Sequence, residues 1–217
     1  MKNIPRIFVG NDVATGARVP ATADVAHYLM RVMRRHDCIV FGGGREFMAT
    51  LSDDGKSLAV GAQTSHDDPS GNVVLYFAPI KRVDDLINMA TQMGVAAFQP
   101  VITERTTAHH TNWKRMEKIA IEAAEQSNRN SVPVILPEIK FSDLDLSHMV
   151  FADERAAYGK RIPESAKTEK ILVGPEGGFS DTEFAALDAA GAIGISLGKT
   201  ILRAELAAAI AVGRISE

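Results

Sequence analysis

The chain has 217 residues, of which 46% are hydrophobic and 24% charged, as in an ordinary soluble globular protein. Its formal net charge is −3, so the chain lacks the overall basic character of many nucleic-acid-binding proteins. The one cysteine, Cys38, excludes an intramolecular disulfide framework and a cysteine cluster for zinc. There is no apolar run of membrane-spanning length and no signal-peptide layout, so we expect a cytoplasmic protein of one large domain or two modest ones.

The first 70 residues combine one helix with several short strands. A helix is predicted from Thr22 to about Arg35, with Thr22 as its N-cap and an apolar stripe that includes Leu29 and Val32. The polar segment at residues 63–72 is the natural linker to the rest of the chain. Short strands with a single helix indicate a small β-barrel. The strands are predicted at residues 6–9, 38–41, 46–51 and 58–60.

The polar face of this helix is basic. His27, Arg31 and Arg34 recur at i, i+4 and i+7, so an α-helix places them along one side. Such a row of charges is most often only a solvated face. Arginine also suits phosphate oxygens and supplies sequence-independent affinity, so contact with an RNA backbone is the alternative for this row.

Strands and helices alternate in the next part of the chain. This alternation predicts a parallel sheet covered by helices. At the end of the last helix, Glu125 and Arg129 have i, i+4 spacing, which is typical of a surface pair. His109 and His110 have no acidic or cysteine partner at ligand spacing, so no metal site is expected. The elements are predicted at residues 73–78 (strand), up to Gly94 (helix), 95–102 (strand) and 111–129 (helix).

Two glycine loops follow strands near the end of the chain. Residues 174–178 contain three glycines, which lets the backbone approach a ligand closely, and Ser180 and Glu183 have capping-box spacing for a following helix. Residues 197–200 form the second loop after a strand predicted at 193–197. Both loops would lie at the carboxyl edge of a parallel sheet, where ligands bind. Two ordinary tight turns are the alternative, and neither loop has a P-loop or dinucleotide fingerprint.

Two segments of this part resemble one known family. They are Leu172-Val-Gly-Pro-Glu-Gly-Gly-Phe-Ser180 and Leu197-Gly-Lys-Thr-Ile-Leu-Arg-Ala-Glu205. Both are similar to the RsmE family of 16S ribosomal RNA uridine-N3 methyltransferases, which belongs to the SPOUT class. The resemblance extends over most of the chain. Residues 26–34 resemble the helix of the family's N-terminal RNA-binding domain, and residues 122–129 are close to its Glu-Gln-x-x-Arg signature.

The resemblance implies an α/β fold in two domains. Residues 1–70 would form a PUA-like RNA-binding domain with a small β-barrel. Residues 71–217 would form a SPOUT methyltransferase domain with a parallel sheet and a deep trefoil knot. The implied cofactor is S-adenosyl-L-methionine, and the implied reaction is methylation of N3 of a specific uridine. The implied partners are 16S ribosomal RNA or the small ribosomal subunit and a second copy of the chain in a homodimer, without membrane or metal.

The resemblance also assigns roles to residues. Arg203 is the leading candidate for stabilising charge on the uracil carbonyl oxygens, although a helix-start arginine paired with a carboxylate would have the same place in the sequence. No residue can be named as the general base. The cofactor-binding residues are expected to be Leu172, Gly174, Pro175, Glu176, Gly177, Gly178, Leu197, Gly198, Ile201 and Leu202. The residues expected to contact RNA or substrate are Arg6, His27, Arg31, Arg34, Gln126 and Arg129.

The chain departs from the family pattern at three positions. Met89 stands where lysine is common, Gln92 replaces the usual acid, and Leu206 replaces the usual threonine. These departures leave two alternatives open. One is an RNA-binding protein that keeps the fold but no longer catalyses, and the other is a SPOUT methyltransferase that acts on another RNA.

Overall fold

The computed structural model describes residues 4–66, 68, 71–107 and 110–215. The chain divides into two compact units. The first comprises Met1–Ser70 together with Ala124–Val132, and the second comprises Gly71–Ala123 together with Pro133–Glu217. The segment Ala124–Val132 therefore belongs with the first unit although it follows residues of the second in the sequence.

The first unit is built on one five-stranded sheet in the order β1-β3-β4-β5-β2. Strands β1 and β3 are parallel, and the other neighbours are antiparallel. Its core contains fully buried side chains such as Leu29, Cys38 and Val40. Strand β2 was not predicted, because three residues are too few to show an alternating pattern. The strands are β1 (Arg6–Phe8), β2 (Arg18–Pro20), β3 (Asp37–Gly42), β4 (Arg45–Leu51) and β5 (Ser57–Gln63).

The helix of this unit differs from the prediction. Only Ala23–His27, called α1, is an α-helix, and Tyr28–Met33 continues as a π-helix. The Thr22 hydroxyl accepts a hydrogen bond from the Val25 amide at 3.3 Å, which confirms the predicted N-cap. Because a π-helix holds more residues per turn, the predicted stripe shifts out of register. Leu29 is fully buried, whereas Val32 is 60% exposed.

The second unit contains a seven-stranded sheet with the main order β12-β10-β11-β6-β7-β8, and β9 also pairs with β7. Each strand pair in its described residues is parallel, which confirms the predicted α/β class and parallel sheet. The two-residue strands β8 and β9 were not predicted. The strands are β6 (Val74–Phe77), β7 (Ala97–Ile102), β8 (Val134–Ile135), β9 (Ile139–Lys140), β10 (Val150–Ala152), β11 (Lys170–Val173) and β12 (Ile193–Ile195).

Four α-helices accompany this sheet, and the best-specified start belongs to the third of them. The Ser180 hydroxyl accepts a hydrogen bond from the Glu183 amide at 3.2 Å, and the Glu183 carboxylate accepts one from the Ser180 amide at 2.9 Å. This reciprocal pair is the predicted capping box. No helix in the described part of the chain is long and apolar enough to cross a membrane. The helices are α2 (Val83–Gln92), α3 (Trp113–Gln126), α4 (Asp181–Ala189) and α5 (Ala204–Ile215).

Candidate functional site

A cavity of about 480 Å³ opens at the carboxyl ends of β10, β11 and β12 in the second unit. Its wall comes from the residues that directly follow these strands, from Lys81 and Arg82 before α2, and from the start of α5. The carboxyl edge of a parallel sheet is where α/β folds bind ligands, because loops from several strands converge there. The position of the cavity therefore agrees with the site predicted from the two glycine loops.

Both predicted loops line this cavity. Three of the ten predicted cofactor residues, however, do not line the cavity. Leu172 is fully buried within β11, Gly177 lines a neighbouring cavity beside Arg105, and Gly178 lies in the wall of neither. These three residues therefore do not face the cavity, whereas the other seven line it. The predicted residues that the structure brings together in the wall are Gly174, Pro175, Glu176, Leu197, Gly198, Ile201 and Leu202.

The first loop has a backbone conformation that depends on Gly178. Its φ of +68° is one that side chains rarely tolerate, and its amide donates a hydrogen bond to the Pro175 carbonyl at 2.9 Å. Arg105 braces the same loop from outside by donating to the carbonyls of Gly177 at 2.9 Å and Phe179 at 3.2 Å. The sequence analysis missed Arg105, because its partners are more than seventy residues away in the sequence.

Arg203 lies in the cavity wall and is exposed, one residue before α5. The sequence left open whether its guanidinium pairs with a carboxylate. Within the described residues, that guanidinium makes no hydrogen bond or ion pair. Glu205, the carboxylate nearest in sequence, pairs instead with Arg82 at 3.5 Å. Arg203 is therefore available to a ligand in the cavity.

Four carboxylates contribute to the wall, and three of them have protein partners. Asp153 is buried and binds Arg155, with a shortest salt-bridge distance of 2.7 Å, and Lys160 at 3.4 Å. Glu176 accepts a hydrogen bond from the Lys81 amide at 3.1 Å, and Glu205 pairs with Arg82. The fourth, Glu154, accepts no hydrogen bond and forms no salt bridge in the described part of the chain.

Glu154 was not identified as a site residue from the sequence. Its pKa is raised above the usual value, first because the surrounding protein removes water from the carboxyl and second because Asp153 is negative. Arg105 and Arg155 oppose this increase. The available signal was its position directly after a strand of a parallel sheet, at the edge where ligands bind.

The predicted basic row of the first unit is exposed. His27, Arg31 and Arg34 all lie on the surface, along α1, the π-helix and the residue after it. Arg34 has a left-handed φ of 54°, which ends the π-helix. The adjacent Arg35 forms a salt bridge with Asp37. Among the described residues, these three side chains have no hydrogen bond or salt bridge, so they are accessible to solvent or to a ligand.

Arg6 occupies a different environment from this row. Its side chain is only 8% exposed and forms a salt bridge with Glu46. It also donates hydrogen bonds to the Arg129 carbonyl and the Asn130 side chain, both at 2.7 Å. The guanidinium lies 4.8 Å from the centre of the Phe41 ring. These contacts favour a structural role for Arg6 over the predicted contact with RNA.

The other predicted substrate residues divide in the same way. Gln126, at the end of α3, is exposed, whereas Arg129 is 5% exposed and donates a hydrogen bond to the Ser131 hydroxyl at 3.1 Å.

As for metals, the described residues contain no group of three His, Cys, Asp or Glu side chains that could hold an ion. His109 lies outside the described residues.

Two of the three departures from the family pattern meet in space. Met89 and Leu206 line the same shallow groove, which Arg203 also lines. The third, Gln92, donates a hydrogen bond to the Asn88 side chain at 2.7 Å. Positions 89 and 206 therefore share one surface, and neither lies in the wall of the cavity between the two glycine loops.

Comparison with known proteins gives concordant results. A family model described as an RNA methyltransferase domain matches residues 66–216. The chain is 33% identical to ribosomal RNA small subunit methyltransferase E of Rickettsia conorii, with 97% of this chain and 94% of the relative covered. It is 30% identical to the protein of the same name from Synechocystis, with 97% and 77% covered.

A solved structure also resembles this chain over almost its full length. It is the ribosomal RNA small subunit methyltransferase E of Neisseria gonorrhoeae bound to S-adenosyl methionine. The TM-score is 0.79 at 28% sequence identity, with 97% of this chain and 95% of that chain covered. The similarity thus includes both units and not the cavity alone.

Proposed function

The chain belongs to the RNA methyltransferase family that includes ribosomal RNA small subunit methyltransferase E, and from this premise we propose its reaction. The protein transfers the methyl group of S-adenosyl-L-methionine to N3 of a specific uridine in 16S ribosomal RNA. The observation that carries the proposal is the meeting of both glycine loops and Arg203 at one cavity. A cavity of about 480 Å³ also lies within the range of roughly 300–1,000 Å³ that is usual for small-molecule sites.

The wall of the cavity fits this cofactor. Gly174 and Gly198 present backbone without side chains, so an adenine ring can approach the backbone closely at both positions. Leu197, Ile201 and Leu202 supply the apolar surface that an aromatic base requires. Leu172, Gly177 and Gly178 hold the first loop in shape, and Glu176 braces it through the Lys81 amide. When bound, the cofactor supplies an electrophilic methyl group on a sulfonium centre.

Arg203 has the role of stabilising the uracil anion. The N3 position of uracil is a weak acid, so its nitrogen becomes nucleophilic only as its proton leaves and negative charge spreads onto the neighbouring carbonyl oxygens. A guanidinium with no protein partner can donate to those oxygens as the charge develops. Holding the base in line with the methyl group supplies much of the remaining acceleration.

The two predicted domains divide the work between them. Residues 1–70 are the PUA-like RNA-binding domain, and residues 71–217 are the SPOUT methyltransferase domain. The exposed row of His27, Arg31 and Arg34 supports RNA contact by the first, with Gln126 as a further contact. Buried Arg6 and Arg129 contribute by holding the structure that carries these residues.

The methyltransferase domain carries the trefoil knot implied by the family. Support comes from the segment after β12, which packs against the long connection between β10 and β11. The Ser196 amide donates to the Pro163 carbonyl at 2.7 Å, and Arg214 donates to the Glu164 carbonyl at 3.0 Å.

The functional form is a homodimer in the cytoplasm, where ribosomal RNA is its substrate. Light scattering of the purified protein tests the dimer.

A deletion strain tests the proposed function in the cell. Nucleoside mass mapping of 16S ribosomal RNA should lose one 3-methyluridine when the gene is deleted and regain it with the wild-type gene. Complementation with Arg203→Ala should fail although the protein accumulates normally. Intact 3-methyluridine in the deletion strain would favour methylation of another RNA. If the deletion strain keeps every methylated nucleoside, the result would favour an RNA-binding protein without catalysis.

A further inference from the structure

The charged side chains of the cavity wall identify one unused carboxylate. Asp153 and Glu205 each form a salt bridge with an arginine, whereas Glu176 accepts one hydrogen bond from the Lys81 amide. Glu154 is exposed, lines the same cavity, and has no hydrogen-bonding or salt-bridging partner among the described residues. The wall therefore retains a carboxylate that no hydrogen bond or salt bridge holds among the described residues, although Arg105 and Arg155 act on it electrostatically.

This carboxylate lies against the first glycine loop. A Cβ atom on Gly178 would lie 2.1 Å from Oε1 and 2.7 Å from Oε2 of Glu154. The carboxylate thus occupies the space that any other residue at 178 would fill. It lies directly against the loop that the proposed function assigns to the cofactor. The absence of a side chain at 178 leaves room for the carboxylate in this position.

We propose that Glu154 binds positive charge on the cofactor. This inference rests on the proposed function and adds to it the recognition of the charged end of S-adenosylmethionine. That molecule carries a sulfonium and an α-ammonium group, and either would neutralise the carboxylate. Opposite charges a few ångströms apart in a partly desolvated cavity attract more strongly than in water. Glu154 therefore contributes affinity through charge, whereas the glycine loops contribute affinity through shape and backbone hydrogen bonds.

Three ligands separate the two cationic groups. S-adenosylmethionine has both charges, S-adenosylhomocysteine keeps the ammonium but lacks the sulfonium, and 5′-methylthioadenosine lacks both. Isothermal titration of each ligand is compared between the wild type and Glu154→Gln, which has the same shape without the charge. The matched control is Glu138→Gln, an exposed residue outside the cavity wall. The control should bind all three ligands as the wild type does.

The expected result is that Glu154→Gln weakens S-adenosylmethionine by about tenfold and leaves 5′-methylthioadenosine unchanged. Unchanged S-adenosylhomocysteine would assign Glu154 to the sulfonium, and an equal loss for that ligand would assign it to the ammonium. Equal losses for all three ligands, or no loss for any, would overturn the inference while leaving the proposed function intact. A folded wild type that binds none of the three would overturn both.

Discussion

At the residue scale, Glu154 connects ligand recognition to stability. Its pKa in the folded protein lies above the usual value of 4.5, so the fold disfavours the ionised carboxylate. By linkage, the destabilisation is fully present above the raised pKa and disappears below about 4.5. The ionised Glu154 carboxylate therefore lowers the stability of the folded protein as long as no cationic ligand is bound to it.

This linkage predicts the behaviour of Glu154→Gln without ligand. The variant should melt at a higher temperature than the wild type at pH 7, because it removes the disfavoured charge. The difference should shrink as the pH falls toward 4.5, where the wild-type carboxyl becomes protonated. Calorimetric melting across this pH range checks the prediction, with Glu138→Gln as the control. A variant that is less stable than the wild type at pH 7 would show that Glu154 has a stabilising partner.

Arg203 provides the second test at this scale. Because its guanidinium makes no hydrogen bond or ion pair in the described protein, Arg203→Ala should leave stability and the dissociation constant for S-adenosylmethionine nearly unchanged. Turnover should fall by about 10²–10³, the usual effect of removing one charge-stabilising donor. Arg203→Lys should recover only part of the rate, because it keeps the charge but loses the planar fork. Comparable losses of affinity and turnover in the alanine variant would remove Arg203 from the proposed role.

At the scale of the structural element, the first glycine loop contains two adjacent glycines of unequal importance. Gly178 has φ +68°, and a Cβ there would collide with Glu154. A Cβ on Gly177 would lie 3.6 Å from the Arg105 side chain, an ordinary contact distance. The sequence marks both positions alike, and only the backbone conformation separates them.

These geometries predict opposite outcomes for two matched substitutions. Gly178→Ala should weaken S-adenosylmethionine binding at least tenfold, because it strains the loop by about 1–2 kcal/mol and displaces Glu154. Gly177→Ala should bind the cofactor within about threefold of the wild type. Titration of both variants, with melting temperatures to verify folding, checks the prediction. Equal effects of the two substitutions would contradict the claim that the loop conformation depends on Gly178 more than on Gly177.

The elements also show where sequence patterns stop being informative. The capping box of Ser180 and Glu183 was predicted, because both partners lie within one helical turn. The π-helix at Tyr28–Met33 was not, because its residues show the apolar spacing of an α-helix. The structure resolves this conflict by burying Leu29 and exposing Val32.

At the scale of the whole molecule, the parallel sheet explains why the place of the candidate site could be predicted. Two glycine loops after parallel strands lie at the same edge of the sheet, and this follows from the chain pattern. The position of β10 between β11 and β12 does not follow from it. The residues missed at the site arrive from elsewhere. Arg105 follows β7, and Glu154 follows β10, so their contacts with the loop depend on the order of strands in the sheet.

The same limit applies to the first unit. Arg6 is a surface arginine by sequence pattern, yet its partners are Glu46 and the backbone and side chain at residues 129–130. No local pattern links these positions, which are separated by up to 124 residues. The exposed row of His27, Arg31 and Arg34 was predictable because one short helical segment carries it.

The most direct test of the account is methyl transfer by the purified protein. S-adenosylmethionine with a labelled methyl group is incubated with small ribosomal subunits, and separately with free 16S ribosomal RNA, from the deletion strain. The account predicts one labelled 3-methyluridine per RNA with the wild type and on the order of 10²–10³ slower transfer with Arg203→Ala. A folded wild type that binds S-adenosylmethionine but labels no uridine in either substrate would contradict it.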